Sequence, residues 1–176
     1  MSLLRIFNPL LLVAALAAAP AALAFPDKPV RIVVGFQPGG ADISARLVGQ
    51  KLQELWGQPV IIDNKPGAGG NLGADAVARA PADGYTLLLF VNSYTINTTV
   101  YKNLSWDAVR DFAPLGLYGR SPLVVVVNNT LPVKDLKGLV ALAKAKPGAL
   151  NYGSAGVATA PHLAIEWFSK ISMFQL

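Results

Sequence analysis

Three short segments of this chain bring glycines together with hydroxyl or amide groups. They are Phe36-Gln37-Pro38-Gly39-Gly40-Ala41, Pro66-Gly67-Ala68-Gly69-Gly70-Asn71-Leu72-Gly73 and Gly153-Ser154-Ala155-Gly156-Val157-Ala158-Thr159. Glycines just ahead of a helix leave backbone N–H groups free and let a ligand approach the main chain. The helix dipole adds roughly half a positive charge there. The chemistry such loops offer is anion binding, for a carboxylate or a phosphate. The first segment admits two readings, an anion site or a tight turn whose Asp42 caps the following helix. In the second, Gly67, Gly69 and Gly73 fit a loose G-x-G-x-x-x-G. A dinucleotide site wants that motif after the first strand and an acid at the end of the next. Here residues 86–91 run into Asn92-Ser93, so close packing of a helix on a sheet is the better reading of these glycines. The third segment lacks the G-x-S-x-G of a hydrolase elbow, because position 152 is Tyr.

Other catalytic constellations are absent. There is no cysteine, which removes disulfides, cysteine-ligated zinc and iron–sulfur sites, and thiol nucleophiles. The single histidine, His162, cannot build a multi-histidine metal site. It precedes the only acid after Ser154, Glu166, so the hydrolase triad order fails as well. A cap or packing role suits His162. Asp42, Asp63, Asp75 and Asp83 fall in different elements and form no acid–base couple. The expectation is a protein without metal or cofactor and without catalytic residues. The net charge of +5 is spread over 176 residues with no basic run interleaved with aromatics, so nucleic acid is not an expected partner. With 53% apolar and 14% charged residues the chain is not of the disordered class.

These loops need a scaffold, and the chain alternates strand and helix to supply one. Residues 30–34 are an apolar, β-branched run that reads as a strand buried on both faces. Ile43, Leu47, Leu52 and Leu55 share one side of a helix that stops at Gly57. A strand over 60–62 follows, then a helix built on Leu72, Ala76, Val77 and Ala80, then a strand over 86–91. This β-α-β-α-β order predicts a parallel α/β sheet with right-handed crossovers. Beyond it, residues 92–106 read as a long polar loop with at most a helical turn. Strands are expected over 113–118, 123–127 and 150–152, and helices over 132–146 and 161–171. A boundary near residues 119–122 divides a first α/β lobe, 25–120, from a second, 121–176. All three chemical loops then lie at carboxyl ends of strands, where ligands of open α/β sheets bind.

The first 24 residues carry Arg5 and an apolar run from Leu10 to Ala24, interrupted only by Pro20. Its fifteen positions reach roughly 22 Å as a helix, short of a ~30 Å hydrocarbon core. Ala22-Leu23-Ala24 then presents small residues where a signal peptidase reads them. The run is read as a secretory signal cleaved after Ala24, leaving 152 exported residues with a formal charge of +4, with a membrane anchor as the competing and less favoured reading.

Several motifs together resemble a known family. Pro26-x-Lys28-Pro29-Val30-Arg31, Pro38-Gly39-Gly40 with Asp42 and Ala45-Arg46, Asp63-Asn64-Lys65-Pro66-Gly67-Ala68-Gly69-Gly70 and Pro81-x-Asp83-Gly84-Tyr85-Thr86 come first. Asp111-Phe112-Ala113-Pro114, Ala143-Lys144-x-Lys146-Pro147-Gly148, Leu150-Asn151-Tyr152-Gly153-Ser154-Ala155-Gly156 and Pro161-His162-Leu163 continue the series. The sequence resembles the Bug-type extracytoplasmic solute-binding receptors of tripartite tricarboxylate transporters, from about Phe25 to Phe168. The resemblance implies a periplasmic-binding-protein-like α/β fold, a parallel-rich sheet flanked by helices in each of two lobes. A small carboxylate is enclosed between the lobes and held by backbone, hydroxyl groups and bridging water. It implies a periplasmic location, membrane permease subunits as partners and a monomeric full-length form. Carried over by position, the ligand-binding residues are Phe36, Pro38, Gly39 and Gly40, then Ser93, then Ser154, Ala155, Gly156 and Thr159. Two departures stand out. One residue, Ala41, separates Pro-Gly-Gly from Asp42 where the family has two. Family members also run to roughly twice this length, about two full domains. The second lobe is therefore expected to be incomplete, as in a truncated or frame-shifted member. The competing expectations are an exported α/β enzyme or nucleotide-binding protein, and a non-functional remnant of a receptor.

Overall fold

The computed structural model describes residues 25–174. Its elements are β1 (Val30–Val34), α1 (Gly40–Trp56), β2 (Val60–Asn64), a 3₁₀ turn (Ala68–Gly70), α2 (Asn71–Ala78), β3 (Thr86–Leu89), α3 (Ser93–Val100), α4 (Leu136–Ala145) and α5 (Ala160–Ser172). The proposed signal lies outside the described residues.

The three strands form one parallel sheet in the order β2-β1-β3, with Val30 opposite Val60 and Arg31 opposite Thr86. β1 is central, and Val30, Val33 and Val34 are fully buried, as its unbroken β-branched run predicts. One face packs Ile32, Val34 and Leu89 against Ala45 and Leu52 of α1. The other packs Ala74, Tyr94 and Trp106 with Leu88 and Phe112. The chain steps from β1 to β2 in one direction and from β2 across to β3 in the other. A constant crossover hand then places the two connecting helices on opposite faces, where α1 and α2 are found. The direction of winding reverses at β1, so the loops leaving β1 and β3 part to either side of the sheet.

Glycines set the distance between these layers. A Cβ on Gly73 would lie 2.7 Å from Gly35 Cα, and one on Gly35 would lie 2.8 Å from Gly70 Cα. The main chains of β1, the Gly69–Gly70 turn and α2 therefore touch directly. This is the packing role expected of the second glycine loop. Gly69 and Gly70 also have φ of 64° and 97°, which disfavours any side chain there.

Several expectations are corrected. α1 turns Asp42, Ala45, Gly49 and Leu52 toward the sheet and leaves Ile43, Leu47 and Leu55 exposed. A Cβ on Gly49 would already sit 3.2 Å from the Val60 and Ile62 side chains, so larger residues at this position would push the helix off the sheet. α2 likewise buries Asn71, Gly73 and Ala74, while Leu72 is exposed. Residues 92–106 contain a true helix, α3. No strand forms over 113–118, 123–127 or 150–152 among the described residues. A strand needs a partner for its N–H and C=O groups, and these segments have none. The helix expected over 132–146 begins instead at Leu136, where the Asp135 carboxylate accepts the Gly138 N–H at 2.7 Å, an N-cap. Leu139 and Ala143 of α4 are buried, as is Phe174 just after α5, where Phe168 stands edge-on to it.

Candidate functional site

At the carboxyl ends of β1 and β3, where their loops diverge, the structure has a cavity of about 10 Å³, the room of one water molecule. Its wall includes Phe36 from the loop after β1, Gly69, Gly70 and Asn71 from the glycine turn, Ser93 and Asn97 from α3, and Trp106. Gly70 makes the close approaches: a Cβ there would sit 3.3 Å from the Phe36 ring and 3.7 Å from Ser93 Oγ. Asn64 fixes the Phe36 loop by donating from Nδ2 to the Phe36 carbonyl at 3.0 Å. Every residue lining the cavity is neutral.

Asn97 ties the wall together. Its Nδ2 donates to the Gly69 carbonyl at 3.2 Å and to Asn71 Oδ1 at 2.7 Å. Its own Oδ1, and the Trp106 indole N–H, are buried in the same wall without a protein partner. Such groups are normally satisfied, so both are free to bond to water or a polar ligand atom. Asn97 stands four residues after Ser93, on the same face of α3. That spacing is the signal by which the sequence offered it, and a polar loop reading of 92–106 passed over it. Tyr94 backs the wall, stacked between Phe90 and Trp106, with its hydroxyl donating to the Ala108 carbonyl at 2.8 Å. Burial, with help from Asp107 and Asp111, pushes its phenol up to about 12, so it too is uncharged near neutrality.

The sequence-selected residues separate into two groups. Phe36 and Ser93 line the cavity, whereas Pro38, Gly39 and Gly40 are exposed at the start of α1. Asp42 is not a cap: α1 has Gly39 at its N-cap position and no side-chain cap bond. The Asp42 carboxylate is buried and accepts two bonds from Arg46, at 2.9 and 3.0 Å. The Arg46 bonds, helped by Asn64, hold its carboxyl below the ordinary aspartate value despite the opposing effect of burial. Its negative charge in the first turn is thereby neutralised by a partner rather than by an exogenous cation.

The third loop reaches the same place from the other half of the chain. The Val157 carbonyl comes within 2.9 Å of the position a Gly69 Cβ would take. Ala158 and Thr159 are buried, and the Thr159 hydroxyl donates to the Gly156 carbonyl at 2.6 Å. Ser154, Ala155 and Gly156 are exposed, with the Gly156 N–H donating to Ser154 Oγ at 3.3 Å. Ala158 holds φ at 61°, uncommon for a residue with a side chain. Pro161 in the first turn of α5 removes one N–H from that helix terminus. His162 Nδ1 is buried without a protein partner; Glu166 accepts a bond from the Tyr152 hydroxyl, not from His162.

A parallel α/β lobe with a neutral, glycine-walled cavity beside a second loop cluster is the fold class of one lobe of the periplasmic binding proteins. A family model described as the tripartite tricarboxylate transporter family receptor matches residues 44–174, and the chain belongs to that family. BugT of Bordetella pertussis is 36% identical over 169 residues, covering 94% of this chain and 52% of its own. Among solved structures, an R. palustris protein with adipate superposes with a TM-score of 0.83 at 34% identity, over 86% of this chain and 52% of that one. MatC of Rhodopseudomonas palustris, with bound malate, gives 0.76 at 27% identity over 86% and 52%. The chain thus spans about half the length of the relatives it matches. Its fold is that of periplasmic binding proteins, and its relatives are receptors, not enzymes.

Proposed function

We propose that the protein captures a small carboxylate in the periplasm and presents it to the membrane permease subunits of a tripartite tricarboxylate-type transporter. The ligand class is a di- or tricarboxylate, an amino acid or an aromatic acid. The observation that carries this reading is the neutral cavity at the diverging ends of β1 and β3, whose wall residue Gly69 has the Val157 carbonyl of the third loop beside it. Phe36, Ser93 and the exposed Pro38, Gly39 and Gly40 offer one lobe's contacts. Ser154, Ala155, Gly156 and Thr159 offer the other's.

A carboxylate is best held here by N–H and O–H donors, since no cationic side chain lines the cavity. The pairing of Asp42 with Arg46 leaves the partial positive charge at the start of α1 largely uncancelled. Asn97 Oδ1 and Trp106 Nε1 suit a bridging water, which lets one frame accept diacids of different length. The cavity is smaller than any dicarboxylate, so capture requires the 153–159 loop to part from Gly69 and close again over the ligand.

Relatives seen with adipate and with malate support the carboxylate class. The test is a chimera in which residues 25–174 replace the matching half of the adipate-bound relative. Calorimetric titration with succinate, malate, adipate, citrate, glutamate and benzoate is expected to give micromolar binding for at least one. Ser93→Ala is expected to weaken it by about 1–3 kcal/mol, the range for one hydrogen bond to a charged group. Binding of NAD or hydrolysis of an ester, with no response to any acid, would overturn the reading.

A further inference from the structure

Two side chains in the cavity wall are almost wholly buried and incompletely bonded: Asn97 is 1% exposed and Trp106 is 5% exposed. Asn97 spends both amide protons, on the Gly69 carbonyl and on Asn71 Oδ1. Its Oδ1 is left as an acceptor with nothing to accept. The Trp106 indole nitrogen is a donor only, and it has nothing to donate to. The neighbouring phenol does not serve either atom. Tyr94 stacks on Trp106 at 4.8 Å between ring centroids, but its hydroxyl goes to the Ala108 carbonyl.

The cavity that Asn97 and Trp106 line, about 10 Å³, admits one oxygen-sized atom. An occupant that satisfies both must donate to Asn97 Oδ1 and accept from Trp106 Nε1. Those two requirements select its chemistry. A carboxylate oxygen has no proton to give. An ammonium group has no lone pair to offer. A methyl group leaves two buried polar atoms unpaired. A hydroxyl oxygen meets both requirements, and so does water. Ser93 lines the same cavity with a hydroxyl that serves as donor or acceptor to either. We infer that this cavity receives the hydroxyl of a 2-hydroxy carboxylate, an inference that rests on the carboxylate reading above. The carboxylate itself is too large for the cavity and stays outside it, at the loop that runs from Phe36 to Gly40. Hydroxyl and carboxylate sit on adjoining carbons, so one small molecule reaches both places. With an acid that lacks the hydroxyl, a water fills the cavity instead. Holding that water costs entropy that the hydroxy acid avoids, so the preference is about ten-fold rather than absolute.

The experiment titrates the chimera with pairs of acids that differ by one hydroxyl: succinate and malate, glutarate and 2-hydroxyglutarate, propionate and lactate, phenylacetate and mandelate. Each hydroxy acid is added as separate enantiomers. In at least one pair, one enantiomer is expected to bind about ten-fold tighter than the acid without the hydroxyl. Trp106→Phe keeps a ring against Tyr94 and removes the N–H, and is expected to bring that ratio close to one. The ratio within a pair is the readout, because a general loss of packing weakens both members alike. Where the variant does not fold, proton–nitrogen NMR of the unsubstituted chimera answers the same question. The Trp106 indole N–H signal is expected to move with the hydroxy acid and to stay with its partner. Equal affinity within every pair that binds, or an indole signal indifferent to the hydroxyl, overturns the subsite and leaves the carboxylate reading standing. Binding of none of these acids overturns both.

Discussion

Replacing Gly73 by alanine places a methyl carbon 2.7 Å from Gly35 Cα and 3.1 Å from Gly35 N. Both are main-chain atoms at the end of the buried central strand, so neither can rotate away. Ordinary contact begins near 3.4 Å, so α2 must retreat by at least about 0.7 Å. Overpacking of this kind costs about 1–3 kcal/mol. The same change lowers the entropy of the unfolded chain, which returns about 0.4–1 kcal/mol. The expected net loss is roughly 1–2 kcal/mol. Gly40→Ala is the matched control: it also lies in a helix, and a Cβ there meets nothing within 4 Å. It is expected to be neutral or to stabilise by a few tenths of a kcal/mol, about the size of the entropy effect alone. Urea titrations followed by circular dichroism, with the slope unchanged between variants, measure both. A Gly73→Ala protein as stable as the parent would refute the direct main-chain packing. In the chimera, Gly73→Ala is also expected to weaken carboxylate binding, because Gly70 and its contacts to Phe36 and Ser93 ride on that packing.

Three further outcomes follow from the same coordinates. Arg46 holds the Asp42 carboxyl below 3.8, so its contribution to stability is complete above that value and is lost as pH falls through the lowered folded value. Arg46→Met is therefore expected to shrink the difference in urea midpoint between pH 5 and pH 2.5. Tyr94 favours the protonated phenol in the folded state, a stabilisation present below pH 10 and lost as pH rises toward about 12. Absorbance near 295 nm should show one tyrosine ionising last, and that step should vanish in Tyr94→Phe. Residues 25–176 without a complementary half are expected to bind no dicarboxylate tighter than millimolar, as read by calorimetry, because one lobe cannot exclude water from the charged contacts.

The first lobe was legible because its signals are local. Val30–Val34 is apolar throughout, Gly57 stops α1 in a left-handed conformation, and the loops fall where strand gives way to helix. The helix faces were less legible. Large side chains at Ile43, Leu47 and Leu55 outweigh Ala45 and Gly49 in any periodicity count, yet the small residues are what let α1 approach the sheet. α3 was hidden because its Thr- and Asn-containing sequence has weak helix propensity, and tertiary bonds of Tyr94 and Asn97 hold it instead. Of the candidate site, Phe36 and Ser93 could be named from motif positions. Asn97 and Trp106 needed the sheet to bring them together. The expected strand at 123–127 has the right residues and no partner, and propensity alone cannot supply one.

The stack of Phe90, Tyr94 and Trp106 has an optical consequence. Trp106 is 5% exposed, forms part of the cavity wall and has its indole N–H unpaired. Of the other two tryptophans, Trp167 is 70% exposed and Trp56 lies against Phe25. With Trp56→Phe and Trp167→Phe, the remaining emission comes from one ring whose environment is the cavity itself. Any molecule or water that enters will alter the field at that indole and shift its colour. The protein thus carries an intrinsic gauge of occupancy of this cavity, readable without a label.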